Sequence, residues 1–162
     1  MKIFGKSQSE PANAYESLRI QVLTGSRAAL GIAPPPDESQ PWGVVMDWRM
    51  TTGSVTVVAL ADGNASVYLS RGGGSIGGQS HESIRNAARN AIAAAAEVRA
   101  KMLRVETFPQ PDPEQVSLYV LTDAGIFGES ASVEEIIAGR HSLSKLGNAM
   151  QEIITQYRLI EQ

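Results

Sequence analysis

The residues with the most chemical promise lie together in Arg71-Gly72-Gly73-Gly74-Ser75-Ile76-Gly77-Gly78-Gln79. Within that stretch Gly73-Gly74-Ser75-Ile76-Gly77 satisfies G-x-S-x-G, and Asp123 and His141 follow in the chain order Ser, Asp, His used by α/β-hydrolases. Ester hydrolysis by Ser75, Asp123 and His141 is the chemistry this order would support. Overlapping it, Gly72 to Gly77 satisfies G-x-G-x-x-G, the fingerprint whose glycines let a backbone approach a dinucleotide pyrophosphate. Both patterns disagree with their surroundings. A hydrolase elbow needs a mostly parallel sheet and a helix that starts at the serine. A dinucleotide fold has its third glycine already in the helix, whereas Gly78-Gln79-Ser80 intervene here. No Lys-Ser or Lys-Thr follows the glycines, so the loop is not a Walker motif.

Charge gives a different reading of the same stretch. Residues 71–104 carry a formal charge of +4 in a chain whose net charge is −3. Arg71, His81, Arg85 and Arg89 are expected to gather around the glycine loop and the start of the helix that follows it, where free backbone N–H groups favour an anion. A phosphate- or carboxylate-bearing ligand would then be held by Arg71, Gly73, Gly74, Ser75, His81 and Arg85. The same residues suit a solvated helix face beside a connecting loop. His81 and His141 both fall at expected helix starts, where the dipole favours the neutral ring. With two histidines and no recognisable spacing to a carboxylate, no metal site is expected, and no cofactor. Asp62 and Asp123 fit turns rather than a carboxylate pair. Trp42 and Trp48 read as core or edge anchors.

The chain of 162 residues is 43% hydrophobic and 19% charged, which is the size and composition of one domain that buries its own core. It has no cysteine, which excludes disulfides, thiolate-bound zinc, iron–sulfur clusters and a cysteine nucleophile. Its acidic balance argues against nucleic acid as a partner. Lys2 and Lys6 enclose only Ile3 and Phe4 as apolar residues, too few for a secretion signal. The longest weakly polar run, Ala91 to Ala96, is far short of the ~20 residues a spanning helix needs. A cytoplasmic protein with no membrane contact is the expectation.

These candidates must be positioned by a sequence of helices and hairpins. Residues 1–10 read as a polar leader, ending in a Ser9 cap and Pro11 in the first turn of a helix whose face is Tyr15, Leu18 and Val22. Gly25 ends it. A second short helical stretch is expected over 28–33, and the proline-rich segment 33–41 reads as a stiff connector. From Trp42 the period changes to two, giving a half-buried strand with Val44, Met46, Trp48 and Met50 on one face and Val45, Asp47 and Arg49 on the other. A second strand follows over 54–61, then Asp62-Gly63, a dipeptide that favours a type I′ hairpin and a return along 66–70. Ser80 is the expected cap of a long helix whose apolar face runs Ile84, Ala88, Ala91, Ala95, Val98 and Met102. Residues 116–121 and 126–127 form a second hairpin around Thr122-Asp123-Ala124-Gly125. Ser132 and Glu135 make a capping box before a short helix closed by Gly139, and a last helix begins near Ser142.

The result is a single α+β domain over 1–162, with a five-stranded, mainly antiparallel sheet in the order α-β-β-β-α-β-β-α and helices mostly on one face. This order of elements is similar to that of class I type III secretion chaperones, and the roadblock-type and longin-type folds have related orders. The resemblance implies a small, acidic, cytosolic dimer, and it carries no functional residue with it. The function expected is a non-enzymatic binding or scaffold protein acting through protein contacts as a homodimer, using the alanine-rich helix or an open sheet face. The alternative is a small-anion binding protein, or a small hydrolase, centred on residues 71–79 and the helix N-terminus behind them.

Overall fold

Alternating apolar residues from Trp42 onward form β1 (Pro41–Met50) in a computed structural model that describes residues 11–161. The leader 1–10 and its Ser9 cap lie outside the described residues. Thr51 and Thr52 turn the chain into β2 (Gly53–Leu60), which runs antiparallel to β1 with Asp47 opposite Thr56 and Trp48 opposite Val55. The reversal at Asp62-Gly63 is present and returns the chain along β3 (Ala65–Leu69), but its turn chemistry differs from type I′. Only Gly63 has positive φ, at 91°, and its N–H donates to the Leu60 carbonyl at 3.0 Å. A turn with one left-handed residue therefore does what a two-residue turn would do with two.

The sheet has seven strands rather than five, in the order β4-β3-β2-β1-β6-β7-β5, and every neighbouring pair is antiparallel. The hairpin β6 (Gln115–Thr122) and β7 (Gly125–Ser132) supplies its second half, with β7 longer than the two residues expected. The two additional strands are the edges, β4 (Gly74–Ser75) and β5 (Leu103–Val105), each too short to show a period of two. Both owe their conformation to the partner they pair with rather than to their own residues.

Helices lie mostly on one face, as expected, with the first helix alone on the other. Among the described residues there are four: α1 (Pro11–Thr24), α2 (Glu82–Val98), α3 (Val133–Ile137) and α4 (Ser144–Ile160). On one face Val44, Met46, Val57 and Leu118 pack under α2 and α4. On the other, Val45, Val58, Tyr119 and Leu121 meet Tyr15, Val22 and Leu23 of α1. β1 is consequently buried on both sides through Asp47, where the alternation predicts a half-buried strand. The segment 28–33 is a series of turns ending in Gly31 at positive φ, not a helix.

The alanines of α2 are used inside the chain. Ala87, Ala88, Ala91, Ala94 and Ala95 are buried, and their small side chains let α2 lie close to both α4 and the sheet. Its N-terminal cap position is His81 rather than Ser80, which belongs to a preceding 3₁₀ turn (Gly78–Ser80). At the start of α3 Ser132 caps the helix as expected, the Glu135 N–H donating to Ser132 Oγ at 3.1 Å, but the Glu135 carboxylate accepts from the Ser132 hydroxyl at 3.2 Å rather than from its backbone N–H, so only half of the capping box is made.

Candidate functional site

The glycine loop is a piece of sheet edge. After β3, the Gly72 N–H donates to the Leu69 carbonyl at 3.0 Å and the Leu69 N–H to the Gly73 carbonyl at 3.1 Å, a tight reversal that lays Gly74 and Ser75 against Tyr68 and Val67. A Cβ at Gly74 would sit 2.2 Å from the Val67 carbonyl oxygen, so the pairing admits no side chain there. Further on, a Cβ at Gly78 would meet the Tyr157 hydroxyl at 2.5 Å. That hydroxyl accepts from the Gly78 N–H at 3.1 Å and donates to the Ala65 carbonyl at 2.6 Å. Burial pushes the Tyr157 phenol above its ordinary pKa, which keeps it a donor. Glycine here serves close approach of backbone to backbone and to a tyrosine of α4.

This geometry separates the residues expected to hold an anion. Arg71 lies beside Gly53, at the start of β2, while the Arg85 stem lies beside Gly63, just past its end. Eight residues of strand lie between, about 23 Å at roughly 3.3 Å per residue. The Arg85 guanidinium donates to the Gln79 carbonyl at 2.7 Å, and His81 is exposed with no side-chain capping bond. Gly73 projects into open space.

Ser75, Asp123 and His141 are not brought together either. The Ser75 hydroxyl donates to Glu161 Oε2 at 2.6 Å. Asp123, in the β6–β7 turn, pairs with Arg27 at 3.0 Å. Four strand spacings separate β4 from β6, about 19 Å at roughly 4.8 Å each. His141 accepts from the Leu143 N–H at its Nδ1, 3.0 Å away, so its proton is on Nε2, which faces Glu129 of β7 at 3.5 Å. Among the described residues no group of three His, Asp or Glu side chains is placed to hold a metal ion.

Two concave surfaces lie instead at the end of the sheet where β1 meets β2. One cleft of about 240 Å³ lies between this end and the last turns of α4, with Trp48, Met50, Val55, Val67 and Leu69 as its apolar lining and Ser75, Arg158 and Glu161 at its rim. Trp48 and Met50 also border a shallower depression of about 600 Å³, walled by residues 113–115 and 132–134. Glu114, in that wall, is the one non-glycine residue with positive φ among those described, at 61°. Its N–H donates to the Arg49 carbonyl at 2.9 Å and its carbonyl accepts from Val133 at 3.1 Å, clasping β1 to the start of α3. A left-handed non-glycine residue costs about 1–2 kcal/mol, repaid here by two backbone bonds.

On the opposite face, α1 is fixed by a buried polar network that the sequence reading did not find. Arg19, 2% exposed, donates from Nε and Nη2 to Asp47, 0% exposed, at 3.0 and 2.8 Å, and from Nη1 to Glu16 at 3.0 Å. It also donates to the Phe108 carbonyl. Thr56 Oγ1 donates to Asp47 at 2.7 Å and lies 2.6 Å from the Tyr15 hydroxyl. Burial disfavours the Arg19 charge, yet the hydrogen bonds and charge of Asp47 hold it above its ordinary pKa. Full burial raises Asp47 above the usual carboxylate value, with Arg19 and Thr56 pulling it back. Arg19, Asp47 and Thr56 are shut off from solvent, with Glu16 at the outer edge, so the network's work is to hold α1 on the sheet.

No family model, curated protein or solved structure matches this chain.

Proposed function

We propose that the protein is a non-enzymatic binding protein whose ligand site is the cleft between the Met50 end of the sheet and the last turns of α4. One observation carries this: half-buried Trp48 and Met50 are joined by Val55, Val67, Leu69 and Ile154 in a largely apolar lining whose polar groups are the Ser75 and Tyr157 hydroxyls and the Arg158 and Glu161 side chains. Such a distribution suits a small ligand with an apolar body. Ser75, the serine of the glycine loop, contributes to the rim, so the loop borders the site without cradling the ligand. A cytoplasmic location goes with this reading, since a chain without cysteine needs no oxidising compartment. In the test, Trp42→Phe leaves Trp48 as the sole indole, and the neutral dye Nile red is titrated against it. Saturable dye binding that changes Trp48 fluorescence and is lost in Leu69→Arg supports the cleft; binding untouched by Leu69→Arg refutes it.

A second reading, self-association, is favoured by one feature. β5 is an outer edge of the sheet, and its Leu103 is 79% exposed, the most exposed large hydrophobic residue among those described. Sedimentation velocity at rising concentration, with Leu103→Lys as control, tests it; a constant monomer mass removes it.

A further inference from the structure

The rim of the cleft carries two opposite charges in an unusual relation. Arg158 and Glu161 stand three residues apart at the end of α4, a spacing at which opposite charges normally pair. They do not pair here. The Glu161 carboxylate is held from the other side by the Ser75 hydroxyl at 2.6 Å, and Arg158 makes no ion pair among the described residues. A held carboxylate and a free guanidinium therefore both border one largely apolar cleft of about 240 Å³. That volume equals the share of about eight water molecules, enough for a side chain of a few carbons with its head group at the opening.

We infer that the cleft binds a free α-amino acid with a large apolar side chain, an inference that rests on the cleft reading above. A zwitterion is the one small head group that satisfies both rim charges at once. Its carboxylate accepts from the Arg158 guanidinium, and its ammonium donates to the Glu161 carboxylate, which keeps acceptor capacity beyond the Ser75 bond. The side chain enters between Trp48, Met50, Val67 and Leu69. An apolar amine or an apolar acid leaves one rim charge unanswered, and a polar amino acid leaves the chamber unfilled. Peptides lack one or other charge at the α-carbon and are discriminated against on the same grounds.

The experiment uses the full chain carrying Trp42→Phe, so that Trp48 reports binding, with calorimetry alongside. Three compounds sharing one apolar body are titrated: L-leucine, isoamylamine, which lacks its carboxylate, and isocaproate, which lacks its ammonium. Leucine should bind roughly ten- to hundredfold more tightly than either analogue. Arg158→Gln should bring leucine down to the affinity of isoamylamine, and Glu161→Gln should bring it down to that of isocaproate. Both side chains are exposed, so a circular dichroism spectrum unchanged in each variant shows that the fold is kept. Equal affinities for the three compounds, or Nile red binding without leucine binding, overturn the amino-acid assignment and leave the cleft standing. If Nile red and leucine both fail to bind, the cleft reading falls with it.

Discussion

Removing the acceptor of the buried Arg19 is the most demanding perturbation the structure offers. In Asp47→Ala the guanidinium, 2% exposed, loses the carboxylate that takes its Nε and Nη2 protons, and Thr56 loses an acceptor at 2.7 Å. Breaking one side of a buried ion pair costs about 3–5 kcal/mol, because the remaining charge stays in low dielectric. For a chain of this length about 2–4 °C of melting temperature follows each kcal/mol, so a loss of roughly 6–20 °C is expected. Urea unfolding followed by circular dichroism gives the free energy directly. Arg19→Met/Asp47→Val, which replaces both charges by apolar groups, should recover most of the loss, within about 1–2 kcal/mol of the wild type. Arg19→Met alone adds a pH signature. With the cation gone, burial leaves Asp47 with a raised folded pKa, so its contribution is full below the unfolded value of 3.8 and is lost as the pH rises through the folded value. The cost of Arg19→Met should accordingly grow between acid and neutral pH. A loss below about 1 kcal/mol for Asp47→Ala, or a double variant as unstable as the single one, would refute the claim that α1 is pinned by this pair.

The remaining expectations concern the glycine loop and the tyrosines. Tyr157→Phe strands the Gly78 N–H and the Ala65 carbonyl and should cost about 1–3 kcal/mol, with faster amide exchange at Gly78 as the local readout. Gly74→Ala should cost well over about 2 kcal/mol because its Cβ meets the Val67 carbonyl oxygen at 2.2 Å, while Gly73→Ala, which meets nothing within 4 Å, should cost about 1–2 kcal/mol for its positive φ alone. Thermal melts rank the two, and similar losses would contradict the pairing. Burial raises Tyr15, Tyr68, Tyr119 and Tyr157, all four tyrosines of the chain, above the ordinary 10.0. A raised folded pKa keeps its stabilisation below pH 10.0 and loses it above, so the chain should unfold in alkali with phenolate absorbance appearing in the same transition. A tyrosine that titrates in the folded protein near its ordinary value would count against this packing.

What could be read from the sequence was local. The Asp62-Gly63 reversal and the Ser132 N-cap of α3 depend on a few adjacent residues, and both are present. The edge strands were not legible, since β4 has two residues and β5 three, and each takes its conformation from its neighbour in the sheet. The burial of Asp47 is not legible, because alternation sorts residues to two faces without saying which face is wet. What buries it is α1, whose Arg19 lies 28 positions earlier. A charged residue in the middle of a long strand-like run, with a lone arginine on an amphipathic helix, is the signal that would have suggested the pair. The cleft was invisible for the same reason, its lining being drawn from β1, β2, β3, β4 and α4.

The two polar features of the molecule meet in neighbouring residues of one strand. Asp47 and Trp48 are consecutive, so the pleat sends one side chain under α1 and the other towards the α4 face. Pairing of β1 with both β2 and β6 at these positions, Asp47 opposite Thr56 and Ser117, Trp48 opposite Val55 and Val116, fixes the backbone that carries them. A strand held by ladders on both sides and by a buried ion pair on one face leaves Trp48 little freedom to collapse into the cleft beside it. The cleft survives because its floor is anchored from behind, while its roof is fixed by Tyr157 bridging α4 to Gly78 and to Ala65. The same turn of α4 that supplies this anchor also supplies Arg158 and Glu161, so the groups at the mouth sit on a helix end that cannot drift from the sheet without breaking two hydrogen bonds. Preorganisation of that kind is what a binding site needs and what a loop-borne site would lack.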